Sequence, residues 1–360
     1  MGERTIYKRF SHWVERSPDA IAVVEDGRSM TYRELDETAN AIMSKFYSME
    51  SQFIGIMMSH SIEMIAAMLA VLKSGAAYVP AEVSLPKERV DYMMRSANVE
   101  FVIDDEYCVN LPHSQPLPDR STANGIAYIL YTSGTSGRPK GVVVENHSVV
   151  NYADAFENEF HVAPGDVMLQ YSICSFDIFV EEVFTTLLNG ATLAIPSKKV
   201  HEGSLNDLMA FCERHSVTEI SGFPYLIADM NRNQCYPSKL RLLISGGDVV
   251  RGAYISWLKG KGIVIYNTYG PSETTVCATY YRIDNAIALE DGTFPIGNGV
   301  KGVSVKILDD NLNEVQDGET GEICISGEGV ARGYLGNPPE QINFVRLADG
   351  TRMYRSGDLG

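Results

Sequence analysis

The sequence contains no hydrophobic run long enough to cross a membrane, and its most apolar stretch is Met64–Leu72. A transmembrane helix needs about 20 apolar residues, so no membrane span is predicted. The N-terminal sequence MGERTIYKRF has no apolar core and therefore does not resemble a signal peptide. Ile6 stands where a myristoylation signal needs Ser or Thr. We therefore expect a soluble, cytoplasmic protein.

Positive charge is also scarce, since 30 Lys and Arg face 46 Asp and Glu, which gives a formal net charge of −16. Nucleic acids and anionic membranes require a basic surface, so neither is an expected partner. A polyanionic ligand would have to be held by backbone amides and by a few well-placed cations. Because the protein is strongly negative overall, phosphate binding is expected only where such amides and cations are grouped in one segment.

Paired cysteines are absent as well, because no two of the thiols form a C-x-x-C motif. The cysteines are Cys108, Cys174, Cys212, Cys235, Cys277 and Cys324. This scattered arrangement predicts neither a disulfide framework nor a zinc site, and it is typical of a protein in a reducing compartment.

The 360 residues are 45% hydrophobic, which is ample for a large buried core. Short apolar runs alternate with amphipathic segments. FIGIMM (Phe53–Met58), for example, precedes a helix that Ser61 would cap and that would end before Gly75. This alternation predicts an α/β fold with parallel sheets covered by helices. Because the apolar runs are too many for one sheet, we predict two stacked α/β sheet subdomains over about residues 1–275.

The pattern changes after Thr275. The segments VCATYYRI, VSVKILDD and GEICISG are typical of strands, and turns such as Asp291-Gly292 and Asp317-Gly318 separate them. Residues from about 276 to 360 are therefore predicted to form a small β-barrel subdomain that packs on the α/β part.

A glycine-rich loop, YTSGTSGRPKG (Tyr131–Gly141), follows the apolar run IAYIL. Small residues let backbone amides close around phosphate oxygens, and the hydroxyl groups add donors. The loop is not a Walker A motif, because Gly141 rather than Ser or Thr follows Lys140. By itself this segment is equally compatible with a flexible surface loop.

Other segments accompany this loop in a fixed order. They are MTYREL (Met30–Leu35), LKSGAAYVPAE (Leu72–Glu82), FDIF (Phe176–Phe179), NTYGPSET (Asn267–Thr274), GEICISGEGVARGYL (Gly321–Leu335) and YRSGDL (Tyr354–Leu359). Together with the loop they resemble the adenylation domains of nonribosomal peptide synthetases, a branch of the adenylate-forming superfamily. The departures from the family pattern are Ala81, Ser136 and Ser356. None of them removes a hydroxyl or a charge that the chemistry needs.

The resemblance implies that the chain is the large N-terminal core of a ligase that converts an amino acid and MgATP into aminoacyl-AMP and pyrophosphate. The aminoacyl group would then pass to the phosphopantetheine thiol of a peptidyl carrier protein. That carrier protein and neighbouring synthetase domains are therefore the implied partners. In such relatives a lid of roughly one hundred residues, with a catalytic lysine, follows YRSGDL. These 360 residues contain no such segment, so we expect a monomeric fragment with impaired turnover.

The resemblance also implies the nucleotide site. Tyr269 would stack on adenine, Asn267 would bind its amino group, and Asp358 would accept hydrogen bonds from the ribose hydroxyls. The full set of implied nucleotide-binding residues is Thr132, Ser133, Gly134, Thr135, Ser136, Gly247, Asn267, Tyr269 and Asp358.

Three further residues are implied to act at the reacting phosphates. Lys140 would lie near the phosphate groups, and Thr274 would contact the α-phosphate. Glu273 would hold Mg²⁺, a hard cation that suits a carboxylate together with phosphate oxygens. The catalytic set is thus Lys140, Glu273 and Thr274, with Glu273 also the implied metal ligand.

Asp177 resembles the aspartate with which amino-acid-activating members pair the substrate α-ammonium. In isolation it would be interpreted as a charge at a helix N-terminus. Asp177 and Glu181 would share one helix face, and Ile244 and Gly246 would share one strand face. The implied side-chain pocket consists of Ile178, Glu181, Ser221, Ile244, Gly246, Thr268, Val276 and Cys277.

Glu181 predicts a substrate with a cationic side chain, lysine first and ornithine or arginine next. Burying an unpaired carboxylate in such a pocket costs free energy, and a substrate ammonium or guanidinium that pairs with it would remove this cost. Alternatively, Glu181 turns to solvent or pairs with a protein cation, which leaves a neutral substrate open. Two other functions also stay open at this point. One is an acyl- or aryl-CoA synthetase-like ligase, and the other is a nucleotide- or amino-acid-binding fragment without turnover.

Overall fold

The computed structural model describes residues 4–113, 115–133, 139–336, 338–347 and 349–360. Its helices are α1 (Ile6–Arg16), α2 (Tyr32–Ser44), α3 (Ile62–Lys73), α4 (Lys87–Ser96), α5 (Asn146–Phe160), α6 (Asp177–Val180), α7 (Lys198–His201), α8 (Leu205–Arg214) and α9 (Pro224–Asn233). A π-helical turn, Glu181–Thr185, continues α6, and short 3₁₀ turns include Ser272–Thr274.

Within the described part of the chain, the strands form three sheets of nine, six and four strands. They are β1 (Ile21–Glu25), β2 (Arg28–Thr31), β3 (Phe53–Met57), β4 (Ala77–Pro80), β5 (Val102–Asp104), β6 (Ile126–Thr132), β7 (Lys140–Glu145), β8 (Val167–Leu169), β9 (Thr192–Ala194), β10 (Glu219–Gly222), β11 (Leu242–Ser245), β12 (Val264–Tyr269), β13 (Thr279–Arg282), β14 (Asn298–Gly299), β15 (Val303–Leu308), β16 (Glu322–Gly327), β17 (Gly333–Tyr334), β18 (Phe344–Arg346) and β19 (Arg352–Leu359).

The two large sheets have parallel centres and antiparallel edges. The six-stranded sheet runs β17-β7-β6-β4-β3-β5, and the nine-stranded sheet runs β14-β13-β12-β11-β10-β8-β9-β1-β2. The predicted parallel pairing is correct for the centres and wrong at the edges, where β2 and β7 pair antiparallel to their neighbours. Short returns cause this, because a short turn such as that between β1 and β2 can join only antiparallel strands.

Helix α3 illustrates how local signals and packing agree. The Ser61 hydroxyl accepts a hydrogen bond from the Met64 amide, and Gly75 follows the helix with φ +85°, as predicted. All of its residues except Glu63 are buried, and the helix contacts β3 and β4 of one large sheet and β1 of the other. The two sheets are therefore stacked around a shared apolar layer, which confirms the predicted α/β architecture.

The third sheet, β15-β16-β19-β18, is antiparallel. It begins at Val303 and not near residue 276 as predicted. The reason is that β13 and β14 extend the nine-stranded sheet and that β17 pairs with β7. A division into subdomains near residue 275 stays a prediction. Within the described ranges, no helix is both long and apolar enough to span a bilayer.

Candidate active site

The glycine-rich loop connects two antiparallel strands of the six-stranded sheet. Thr132 at the end of β6 is paired with Lys140 at the start of β7, so the two ends of the loop are held together. Thr132 is half-buried and Ser133 is exposed. Gly134, Thr135 and Ser136 lie outside the described residues, so their phosphate contacts stay a prediction. A strand follows the loop, in agreement with the conclusion that the motif is not a Walker A motif, in which a helix follows.

The side chain of Tyr334 contacts both Lys140 and Glu273, although the sequence did not indicate Tyr334 as a functional residue. Lys140 Nζ lies 4.7 Å from the centre of the Tyr334 ring, and the Tyr334 hydroxyl donates a 2.6 Å hydrogen bond to Glu273 Oε1. Pairing of β17 with β7 places Tyr334 opposite Val142, close to the base of the loop. The structure therefore brings the predicted cation and the predicted metal ligand to one place.

Glu273 provides donors that fit a magnesium ion. It lies on the 3₁₀ turn Ser272–Thr274, is buried, and has one oxygen oriented by the Tyr334 hydroxyl. Mg²⁺ prefers carboxylate and phosphate oxygens in octahedral geometry, and this carboxylate supplies such an oxygen beside the phosphate loop. Magnesium binding by Glu273 stays a prediction that its surroundings support.

The two hydroxyl residues that flank Glu273 have different surroundings. The Thr274 side chain is fully buried and donates a 2.9 Å hydrogen bond to the Pro271 carbonyl, so the predicted α-phosphate contact would require this turn to rearrange. The Ser272 hydroxyl instead donates a 2.6 Å hydrogen bond to Asp177 Oδ2. Of the two flanking hydroxyls, that of Ser272 is therefore the one that contacts another predicted site residue. Ser272 lies in the NTYGPSET segment, so the sequence could have indicated it as a site residue.

Asp177 is the first residue of α6 and is half-buried. Burial raises the pKa of its carboxyl to about 6; the Ser272 hydrogen bond opposes this shift, and the charge of Glu273 adds to it. A nearby cation would stabilise the ionised form and lower this pKa again. A cation bound beside this carboxyl would therefore offset part of the cost of its burial.

Glu181 begins the π-helical turn and is only 1% exposed, so it does not turn to solvent. One carboxyl oxygen accepts a hydrogen bond from Tyr152 on α5, and the other accepts one of 2.5 Å from Ser221 on β10. Burial raises the pKa of Glu181 to about 7, whereas the two hydroxyls lower it and the charge of Asp177 adds to the rise. These hydrogen-bond partners are neutral hydroxyls and not a protein cation.

Tyr152 is a pocket residue that the sequence did not reveal. It lies outside every segment that carries the family resemblance, and its hydroxyl is 29 residues from Glu181 along the chain. Only the packing of α5 against the π-helical turn brings the two side chains together. Ser221, a predicted pocket residue on β10, does contact Glu181.

The remaining predicted pocket residues are all buried or lie in the strand walls. Burial raises the pKa of the Cys277 thiol, and the nearby charge of Glu181 adds to this rise. A Cβ atom at Gly246 would lie 2.6 Å from Thr268 Oγ1, so only glycine fits between the two strands. The buried members of this group are Ile178, Ile244, Thr268, Val276 and Cys277.

The backbone is strained where the pocket meets the Glu273 turn. Thr275 and Val276 are β-branched and yet have φ angles of +61° and +69°. Such conformations cost on the order of 1–3 kcal/mol each and accumulate at functional sites. The Thr275 hydroxyl donates a 2.7 Å hydrogen bond to the Gly329 carbonyl, which helps to hold this conformation. The next side chains, Val276 and Cys277, are both buried.

The predicted adenine and ribose residues lie together on the other side of β12. The Tyr269 hydroxyl donates a 2.6 Å hydrogen bond to Asp358 Oδ2, and the Asn267 amide donates one of 2.8 Å to the Pro295 carbonyl. Alternation along β12 places Asn267 and Tyr269 on one face and Thr268 on the other. The strand therefore separates the predicted nucleotide side from the side-chain pocket. Gly247, with φ +76°, follows β11 close to this strand.

Comparison with known proteins agrees with this geometry. The family model described as AMP-binding enzyme matches residues 10–335. Bacitracin synthase 2 of Bacillus licheniformis is 35% identical over 99% of this chain and 14% of its own length. Tyrocidine synthase 1 of Brevibacillus parabrevis is 32% identical over 99% of this chain and 35% of its own length. The chain thus spans only part of these curated relatives.

Solved structures show the same similarity. The nonribosomal peptide synthetase FmoA3 in its AMPPNP-bound form superposes with a TM-score of 0.91 and 25% identity, covering 100% of this chain and 41% of that one. The N-terminal subdomain of Klebsiella oxytoca NpsA, in complex with 3-hydroxybenzoyl-AMSN, superposes with a TM-score of 0.87 and 25% identity. The match covers 99% of this chain and 96% of the NpsA chain. The chain therefore belongs to the AMP-binding enzyme family, among the ATP-dependent adenylate-forming ligases of nonribosomal peptide synthetases.

Proposed function

We propose that this chain activates an amino acid by forming aminoacyl-AMP from MgATP, and that the product is loaded onto the phosphopantetheine thiol of a peptidyl carrier protein. The observation that carries the amino-acid part is the carboxyl of Asp177, desolvated at the head of α6 and next to the charge of Glu273. A substrate α-ammonium would compensate both charges. An acid without this amine would leave Asp177 unpaired.

Catalysis would depend mainly on positioning and on charge neutralisation. Lys140 would face the phosphates at the base of the glycine-rich loop, and Glu273 would hold Mg²⁺, which neutralises phosphate charge when bound. Ser272 keeps the Asp177 carboxyl oriented through its hydrogen bond, so the α-amine and the reacting carboxylate are placed relative to the phosphates. Tyr269, Asn267 and Asp358 would bind the adenosine part.

The proposal that a carrier protein is the partner rests on the relatives. Klebsiella oxytoca NpsA-ThdA is an artificially fused di-domain of an adenylation domain and a carrier protein, and its NpsA part resembles this chain. Because the chain covers only a fraction of its curated relatives, the neighbouring domains are part of the proposal as well.

For the substrate side chain we propose a cation, lysine before ornithine or arginine. The support is that Glu181 is buried, that its hydrogen-bond partners among the described residues are hydroxyls, and that its pKa is raised to about 7. An ammonium group at the end of the substrate would stabilise the ionised form of Glu181, and the two hydroxyls could keep their hydrogen bonds. Ile178, Ile244 and Val276 would line the methylene groups.

A second candidate is activation of an aryl acid. It is favoured by one comparison, since the NpsA N-terminal subdomain is bound to 3-hydroxybenzoyl-AMSN and covers nearly the same chain length. ATP–pyrophosphate exchange on the native full-length protein separates the two candidates. We expect exchange with α-amino acids and background rates with benzoates and fatty acids. The opposite ranking would support the aryl-acid candidate, and exchange with neither class would support a binding protein without turnover.

The activity with lysine is expected to depend on pH through Glu181. The pKa of Glu181 is about 7 in the folded protein and about 4.3 in the unfolded chain. As the pH rises between these two values, the contribution of Glu181 to folding stability is lost. As the pH rises through about 7, the Glu181 carboxyl of the folded protein becomes ionised. The kcat/KM for lysine relative to norleucine should therefore rise as the pH increases through about 7 and then level off.

Neighbouring groups determine the control for this pH experiment. Burial raises the pKa values of Tyr152, Cys277 and Tyr280, which therefore stay neutral, whereas Glu219 has a pKa raised to about 8 and titrates nearby. Glu181→Gln should abolish the pH dependence of the lysine-to-norleucine ratio. If the dependence persists in this variant, another group such as Glu219 is responsible and the assignment to Glu181 is wrong.

A further inference from the structure

A histidine, a glutamate and a cysteine from three distant segments converge outside the proposed active site. His60 follows β3, Glu82 follows β4, and Cys174 lies three residues before Asp177, the first residue of α6. Their potential ligand atoms all lie within 4.8 Å of one another, and His60 Nε2 is 2.8 Å from Glu82 Oε1. Glu82 and Cys174 are buried, whereas His60 is partly open to a cleft.

The hydrogen bonds around His60 determine which ring nitrogen carries a proton. The Gln170 amide nitrogen donates to the Ser172 carbonyl at 2.6 Å and to Glu182 at 3.2 Å. Gln170 Oε1 must therefore be the acceptor that faces His60 Nδ1 at 2.9 Å, so Nδ1 carries the hydrogen. In a neutral ring, Nε2 then presents a lone pair towards Glu82.

Glu82 Oε1 is itself an acceptor, because the Cys174 amide donates a 2.5 Å hydrogen bond to it. Two lone pairs at 2.8 Å repel each other unless a positive charge lies between or beside them. A second proton on His60, a proton on the Glu82 carboxyl or a bound metal ion removes this repulsion. A histidine whose other N–H is held by a second carbonyl oxygen is the common arrangement of a metal ligand.

We propose that His60 Nε2, Glu82 and the Cys174 thiolate bind one zinc ion. A mixed set of imidazole nitrogen, carboxylate oxygen and thiolate sulfur is typical of zinc, and the adjoining cleft would provide a water molecule as fourth ligand. The cleft is lined by residues that include Ser59, Ile173, Ser197 and His201. Binding would release the thiol proton of Cys174 to solvent.

This ion would connect the two large sheets beside the amino-acid site. His60 and Glu82 follow strands of the six-stranded sheet, whereas Cys174 lies in the segment between β8 of the nine-stranded sheet and Asp177. Zinc would therefore restrain the segment that leads to the carboxyl proposed to bind the substrate amine. The scattered cysteines did not predict the site, because its ligands are 22 and 92 residues apart along the chain.

Metal titration of the native full-length protein tests this proposal. After treatment with a chelator, the protein should bind one equivalent of Zn²⁺ in competition with a chromophoric chelator, and its melting temperature should rise. Substitution of Co²⁺ should give a thiolate-to-cobalt charge-transfer band. Cys174→Ser should remove this band, whereas the control Cys235→Ser, at a half-buried cysteine outside the cluster, should retain it.

Two further variants keep the test decisive if Cys174→Ser folds poorly. His60→Gln should abolish stoichiometric binding, and Gln170→Ala, which removes the hydrogen bond to the ligand, should weaken Zn²⁺ affinity by about 10- to 100-fold. No stoichiometric Zn²⁺ binding by the wild-type protein would overturn the proposal. So would a Co²⁺ spectrum that His60→Gln and Cys174→Ser leave unchanged. His60 and Glu82 would then form a simple ion pair.

Discussion

Replacing Asp177 with alanine is expected to abolish amino-acid activation and to leave nucleotide binding nearly unchanged. The carboxyl would pair with the substrate α-ammonium in a partly desolvated site, and removal of one partner of such a pair costs about 3–5 kcal/mol. This corresponds to a loss of kcat/KM on the order of 100- to 1000-fold or more. The measurement is ATP–pyrophosphate exchange together with calorimetric titration of ATP.

The control for this variant is an aspartate with no role in the site. Asp309 is half-buried in the turn that follows β15, where it accepts hydrogen bonds from the amides of Asn311 and Asn313. Asp309→Asn should retain full exchange activity. If Asp177→Ala activates amino acids normally, the α-amine is bound elsewhere and the acyl-CoA synthetase-like alternative becomes the better account.

Replacing Glu181 with glutamine is expected to reverse the preference between charged and neutral side chains. Glutamine can still accept from Tyr152 or Ser221, so the pocket keeps its shape, but it offers no charge to an ammonium group. Loss of a buried charge partner costs about 2–5 kcal/mol, so kcat/KM for lysine should fall by on the order of 100-fold. Norleucine, which lacks the terminal ammonium, should be activated equally well or better.

Wild-type protein and Tyr152→Phe complete this comparison. The phenylalanine variant removes one hydroxyl from Glu181 without removing the charge, so a preference for lysine over norleucine should persist. A wild-type protein that prefers norleucine, or a Glu181→Gln variant that still activates lysine normally, would contradict the cationic substrate.

The sequence predicted those parts of the fold in which local signals and packing agree. Helix α3 has a polar cap at Ser61 and a glycine beyond its end, so its bounds followed from the residues. The parallel centres of both large sheets followed from apolar runs that alternate with helices. Asp177 and Glu181 were identified because they occupy an ordered family segment, and the structure places their carboxyl groups close enough for the charge of Asp177 to raise the pKa of Glu181.

Features that depend on contacts between distant segments were not predictable in this way. Tyr152, Ser272 and Tyr334 contact Glu181, Asp177 and Glu273 respectively, yet each pair is 29 to 95 residues apart. Strand β7 was not predicted, and β13 was assigned to the small β-rich subdomain although it pairs with β12 of the nine-stranded sheet. Pairing direction is decided by the connection and by the neighbouring strand.

The central claim is that the substrate is recognised by its α-amine, and one comparison of substrates tests it most directly. ATP–pyrophosphate exchange should be measured on the native full-length protein with lysine and with 6-aminohexanoate, which keeps the carboxylate and the terminal ammonium but lacks the α-amine. We predict strong exchange with lysine and background exchange with 6-aminohexanoate, because only lysine can pair with Asp177. Equal exchange with both acids would contradict the account.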